Sequence, residues 1–161
     1  WTVSAAGSVG GVTYKAGETI TYNGLAPATS AAVFVPASAA PVITGTSPAA
    51  GALAVPPDGN LVTTFSEAVV AGSGNIELWQ SGGTSPLESF NVATSPQLSF
   101  SGPTLTIDPS ANLAANTFYH VLIAPTAVVD TSGVKAFAGI TSPSTWSFSV
   151  SRARLDTKRG K

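Results

Sequence analysis

The sequence has no cysteine and no methionine among its 161 residues. Without cysteine there is no disulfide staple, thiol nucleophile, zinc ribbon or iron-sulfur cluster, although the lack does not by itself fix a compartment. A chain that begins at Trp1 and lacks methionine is expected to be processed or cut from a longer protein, so the missing signal peptide carries no information. Charge is equally scarce. Charged residues make up 9% of the chain, against ~25% in an ordinary soluble domain, which argues against a nucleic-acid binder and against a charge-laced helical bundle. No run approaches the roughly 18 apolar residues of a membrane span, so no membrane insertion is expected. Helix signals are missing too, since no window of about a dozen residues keeps a 3.6-residue apolar period.

What fills the sequence is small and neutral: 25 alanines, 20 serines and 19 threonines, which leave little that could titrate or coordinate. The few charges are unevenly spread. Residues 1 to 151 carry Lys15 and Lys135 against seven carboxylates, whereas the last ten residues hold Arg152, Arg154, Lys158, Arg159 and Lys161 against Asp156. The terminus therefore reads as a separate basic tail over 151–161. Its plain reading is a solvated end or cloning remnant. Its sharper reading is an arm that binds the acidic body of a neighbouring copy in an assembly.

Short runs rich in Val, Ile, Thr, Phe and Tyr, punctuated by Gly, Pro, Asn and Ser, predict an all-β chain. In the first segment, Gly11-Val-Thr-Tyr14 and Glu18-Thr-Ile-Thr-Tyr22 flank Lys15-Ala-Gly17, predicting a small β-hairpin module over 1–35. A piece this short buries too little to stand alone and is expected to dock on a neighbour. Pro36 to Pro41 reads as a stiff linker. From 42 to 150, turn signals every 8 to 12 residues predict an antiparallel β-sandwich, with strands at Val42–Thr46, Asn60–Ser66, Asn75–Gln80, Leu87–Val92, Gln97–Ser101, Thr104–Ile107, Thr117–Ile123 and Thr145–Val150. Leu105 and Ile107 share one face, as do Trp146, Phe148 and Val150. In Leu113-Ala-Ala-Asn-Thr-Phe-Tyr119, a turn runs into a strand in the manner of a tyrosine corner. Thr117, Tyr119, Val121 and Ile123 then face inward, and Phe118, His120 and Leu122 outward.

Several of these stretches together resemble a known family. Pro41-Val-Ile-Thr-Gly-Thr-Ser-Pro48-Ala-Ala-Gly51, Leu61-Val-Thr-Thr-Phe-Ser-Glu67, Leu105-Thr-Ile-Asp-Pro109, Leu113 to Tyr119, Asp130-Thr-Ser-Gly133 and Trp146-Ser-Phe148 resemble the bacterial Ig-like domain of S-layer and large surface proteins. The family's Asp-x-x-Gly-Asn turn stands here as Asp130-Thr-Ser-Gly-Val134. The first segment, through Tyr14-Lys-Ala-Gly17 and Asn23-Gly24, is similar to a short β-repeat of phage fibre and virion proteins, with Glu18 where that repeat has Asp. Both resemblances imply display and adhesion rather than catalysis. They imply a virion surface, extracellular or bacterial cell-surface location.

The candidate chemistry is thin. His120 is the single histidine, with no second imidazole for a metal pair and no Gly-x-Ser-x-Gly elbow to serve, so its plain reading is a surface strand residue. With Phe118 and Leu122 it forms a candidate partner-contact patch, unless the first segment covers that strand or the register is shifted by one. Trp79 neighbours Leu78 on a strand, so one of the two points away from the core. An exposed Trp79 is a glycan platform, as Trp1, Tyr14 and Tyr22 could also be, although the usual burial of Trp favours Trp79 and Trp146 in the core. Glu67, Glu77, Glu88, Asp108 and Asp130 are too dispersed to predict the paired acids of a glycosidase. Asp58-Gly-Asn60 and Asp130 to Gly133 could gather calcium ligands, but one Asp per turn suits an Asx-type turn better.

The expectation is thus an Ig-like antiparallel β-sandwich with a small N-terminal β-hairpin module, acting without catalysis, cofactor or metal. Its expected role is that of a phage virion accessory protein, a decoration or fibre component. A domain of a bacterial S-layer protein, adhesin or envelope protein is the first alternative, a carbohydrate-binding module the second and an accessory domain of a secreted hydrolase the third. Expected partners are other protein subunits of a virion or surface assembly, glycans and further copies in a homo-oligomer; no nucleic acid is expected.

Overall fold

A computed structural model of the chain describes the strand residues 7–9, 12–14 and 35–36 and all of 39–151. The chain divides into two compact units, Trp1–Ala39 and Ala40–Lys161.

In the first unit, β1 (Gly7–Val9) lies between β2 (Val12–Tyr14) and β3 (Val35–Pro36), antiparallel to both. The expected strand Val12–Tyr14 is present, but its described partner precedes it: Gly7 stands opposite Tyr14 and Val9 opposite Val12. Two residues, Gly10 and Gly11, separate these strands in sequence, the spacing and composition of a tight hairpin. The expected partner Glu18–Tyr22 lies outside the described residues. Pro36, read as the start of a linker, belongs to β3 opposite Gly7.

The second unit is a two-sheet sandwich. Its strands are β4 (Ile43–Ser47), β5 (Ala52–Val55), β6 (Leu61–Phe65), β7 (Val69–Ala71), β8 (Asn75–Gln80), β9 (Glu88–Asn91), β10 (Leu98–Ser101), β11 (Thr104–Ile107), β12 (Phe118–Ile123), β13 (Val128–Asp130) and β14 (Ser147–Val150). One sheet has the order β10-β11-β6-β4 and the other β5-β14-β12-β8-β9. All pairs in them are antiparallel except β5 with β14. Each expected strand is there with ends displaced by two residues at most, and β5, β7 and β13 are additional.

Period-two alternation explains the core. Leu61 and Phe65 on β6, Leu105 and Ile107 on β11, Ile76 and Leu78 on β8, Tyr119, Val121 and Ile123 on β12, and Phe148 and Val150 on β14 are all buried. Each fully buried side chain of this size contributes roughly 1.5–3 kcal/mol of transfer free energy. Trp146 is completely enclosed, and its indole N–H donates to the Pro48 carbonyl at 2.9 Å, tying the approach to β14 to the bend between β4 and β5. The tyrosine corner is formed. The buried Tyr119 ring packs near Phe148, and its hydroxyl accepts the Ala114 N–H at 2.8 Å, pinning the connection that leads into β12.

At the pole where β12 ends, two connections are braided together. β7, in the link between β6 and β8, pairs with β13, in the link between β12 and β14. The close approach requires glycine at 72, where a Cβ would lie 2.1 Å from the Thr126 carbonyl oxygen. Thr126 itself has φ of 73°, a conformation that branched side chains avoid. It is held there by Gly72 N–H donating to Ala127, Ser73 N–H donating to Thr126, and the Thr126 hydroxyl donating to the Ser73 carbonyl.

Candidate functional site

The outer face of the five-stranded sheet carries the candidate residues. Successive residues of a strand point to opposite faces, so burial of Ile76 and Leu78 sends Glu77 and Trp79 outward, and burial of Tyr119, Val121 and Ile123 sends Phe118, His120 and Leu122 outward. The expected phasing of β12 is therefore the observed one, except that Thr117 is only half-buried and its hydroxyl donates to the Ala115 carbonyl. Phe118 is 58% exposed, while His120 and Leu122 are half-buried.

Trp79 corrects the expectation that both tryptophans fill the core. Its neighbour Leu78 takes the inner position, and Trp79 lies half-exposed outside, opposite His120 in the β8–β12 register. The indole and imidazole rings are nearly parallel, 11° apart, with centroids separated by 6.1 Å. The indole N–H donates to Glu77 Oε2 at 2.9 Å, which fixes the ring edge and the carboxylate together. Partial burial lowers the His120 pKa below its ordinary 6.5 through desolvation, favouring the neutral imidazole.

Beside this pair, Glu77 stands opposite Leu122, and both border a shallow groove of about 450 Å³ that also takes in Asn75, Ala124, Ile140 and Thr141. The surface is thus a flat aromatic pair, an exposed phenyl ring, one oriented carboxylate and a polar-edged groove. Such a surface can stack against flat apolar faces and accept hydrogen bonds. The groove and the Glu77–Trp79 contact were not read from the sequence; the only signal was the spacing of Glu77 and Trp79 on one strand.

Elsewhere, Asp130 and Glu88 serve the fold. The Asp130 carboxylate accepts the Ser132 hydroxyl at 2.7 Å and the Val134 and Lys135 N–H groups at 3.0 and 3.1 Å. These bonds, that of Ser132 first, hold its pKa below the usual carboxylate range. The Asx-type turn expected there is formed, and both oxygens are engaged by the chain itself. Glu88 bridges the sheets, accepting from the Ser110 N–H at 3.1 Å and the Gln97 amide at 3.3 Å. Asp58 and Asp108 line one small polar hollow. Sequence reading missed that convergence, because it follows from Leu61 standing opposite Ile107. Among the described residues no three His, Asp or Glu side chains are grouped to hold a metal ion, and no helix is long and apolar enough to cross a membrane. The tail residues Arg152, Arg154, Lys158, Arg159 and Lys161, and the side chains of Trp1, Tyr14 and Tyr22, lie outside the described residues.

A four-stranded and a five-stranded sheet, opposed with a parallel terminal pair and a tyrosine corner, define an Ig-like sandwich. The sequence profile of the bacterial Ig-like domain matches residues 37–150, and the chain belongs to that family. Domains of this family are surface or structural modules, typically non-catalytic and commonly displayed at the cell surface. No curated protein and no solved structure matches the chain.

Proposed function

We propose that this chain is a non-catalytic structural and adhesive module displayed on the outside of an assembly, serving as a virion accessory protein of the decoration or fibre kind. The observation that carries the reading is the division of labour among side chains: Asp130 and Glu88 are tied into a turn and a sheet edge, while the Trp79–His120 pair, with Glu77 bonded to the indole, stands on the outer face of one sheet. The resemblance of the first segment to a phage-fibre repeat, and its separate compact unit, favour a virion over a bacterial S-layer, adhesin or envelope protein. Antibodies against the chain, applied to phage particles and to intact cells of a culture carrying the gene, test this. Label on particles is the expected result. Label confined to the cell envelope selects the bacterial alternative, and label confined to the cell interior, or hydrolytic turnover by the purified chain, overturns both.

The Trp79–His120 pair favours a second reading, contact with glycans, because a planar stacked pair beside an oriented carboxylate matches the mixed apolar and hydroxylated faces of a sugar ring. Binding on a glycan array that disappears with Trp79→Ala supports it; binding that survives the substitution removes it.

A further inference from the structure

We propose that the outer face of the five-stranded sheet recognises a polysaccharide of amino sugars whose amines are free, with Glu77 receiving the ammonium group and Trp79 the sugar ring. The inference rests on the glycan reading above and adds to it the chemistry of the sugar.

The carboxylate carries the argument. Glu77 is half-buried, and its Oε2 is held by the Trp79 indole N–H at 2.9 Å. Among the described residues nothing bonds its other oxygen, and no lysine or arginine lies on any strand of this sheet. The single described lysine, Lys135, belongs to the turn closed by Asp130. His120, the other ionisable side chain on the strands of this face, is kept neutral by desolvation and does not answer the charge. A fixed, partly buried carboxylate without a cation favours a ligand that brings one, and it repels an acidic sugar.

The groups around Glu77 suit a sugar rather than a bare cation. Asn75 accepts the Asn91 amide through Oδ1 at 3.3 Å, which leaves its own NH2 as a donor. Thr141 adds a hydroxyl to the same groove, and Leu122 and Ala124 add apolar contact. Along β8, Glu77 and Asn75 follow Trp79 on one face at roughly 7 and 14 Å. That spacing gives room for successive rings of one oligosaccharide. A ring stacked on the indole sets its neighbour over the carboxylate, where an amine meets the open oxygen.

Three oligosaccharides of one length and one linkage test this, built from glucosamine, N-acetylglucosamine and glucose, so that only the group on the second carbon changes, from ammonium to acetamide to hydroxyl. The full chain is titrated with each in low-salt buffer in which the amine is protonated. The Trp79 indole N–H resonance, identified by its loss in Trp79→Ala, reports binding beside the carboxylate. The glucosamine oligomer is expected to bind roughly three- to fivefold tighter than the other two, as a partly screened ion pair allows, and added salt is expected to narrow the difference. Glu77→Gln, which keeps an oxygen for the indole, is expected to bring the three to one affinity. Equal binding of all three by the unaltered chain, or a preference that survives Glu77→Gln, overturns the amine assignment and leaves the glycan reading standing. Displacement of the glucosamine oligomer by an oligolysine peptide, which has ammonium groups but no ring, gives the face to a protein partner and overturns the assignment too. Binding of none of the three removes both readings, whether sedimentation then finds a second copy on the face or no partner.

Discussion

On the outer face of the four-stranded sheet, Ser101, Thr104 and Thr64 form one row across three strands, and Ser99, Thr106, Val62 and Ser47 form the next. On the outer face of the five-stranded sheet, the corresponding rows hold Trp79, His120 and Ser147, and Ser89, Glu77 and Leu122. The inner faces are alike, both apolar and closed. The outer faces differ in what they leave for a partner. A carpet of hydroxyls is satisfied by water and loses little by staying wet. The exposed ring of Phe118 and the half-buried rings of Trp79 and His120, with Leu122, leave more apolar area in solvent. One outer face is lined by hydroxyls and the other by rings.

The contrast depends on a shared core, so the largest effect comes from damage there. Trp146→Ala removes the largest fully buried side chain and its bond to Pro48; a loss of about 3–5 kcal/mol in urea unfolding is expected, and both outer faces are lost in one transition. Separate transitions for the two sheets would break the comparison. Tyr119→Phe leaves the Ala114 N–H without its acceptor and is expected to cost about 1–3 kcal/mol by the same measurement, while leaving the Trp79–His120 pair in place, as near-ultraviolet circular dichroism will show.

A sharper comparison lies within one strand. Thr63 faces the core, and its hydroxyl is buried without a hydrogen-bond partner, whereas Thr64 faces out. Thr63→Val is expected to stabilise the domain by about 1–2 kcal/mol, and Thr64→Val to change it by less than about 0.5 kcal/mol. Equal effects would mean that the two faces of β6 are not as distinct as the burial pattern makes them.

The smallest effect separates the faces by titration. The folded pKa of His120 lies below 6.5, so the unfolded chain binds a proton first, and the stability tied to the neutral ring is complete above pH 6.5 and falls as the pH drops through the folded value. His120→Gln is expected to flatten that part of the profile of Tm against pH. The Asp130 carboxyl is held below 3.8, so its contribution is complete above pH 3.8 and is lost in more acid solution as the pH falls through the folded value. Asp130→Asn removes that second step and leaves the first. The outer rows of the four-stranded sheet have no ionisable side chain and add nothing to either.

Much of this architecture is legible in the chain. Alternation at Leu105 and Ile107, and at Trp146, Phe148 and Val150, fixed which face was inner, and the spacing from Leu113 to Tyr119 located the corner whose hydroxyl meets Ala114. Trp79 was harder. Its strand alternates Ile76, Glu77, Leu78 and Trp79, which shows that Leu78 and Trp79 part company without showing which of them the opposite sheet will cover. β5, with Ala52-Leu-Ala-Val, and the short β7 and β13 carry too little pattern to announce themselves and exist because a partner strand lies alongside.

By itself, the sequence determined an all-β sandwich with neutral surfaces, because period-two alternation and turn residues are local properties that each segment carries with it. Only the tertiary structure decided that β5 would run parallel to β14, that Trp79 would lie against His120, and that Asp58 and Asp108 would share a hollow. Those are relations between segments far apart in the chain, set by how two sheets close over one core.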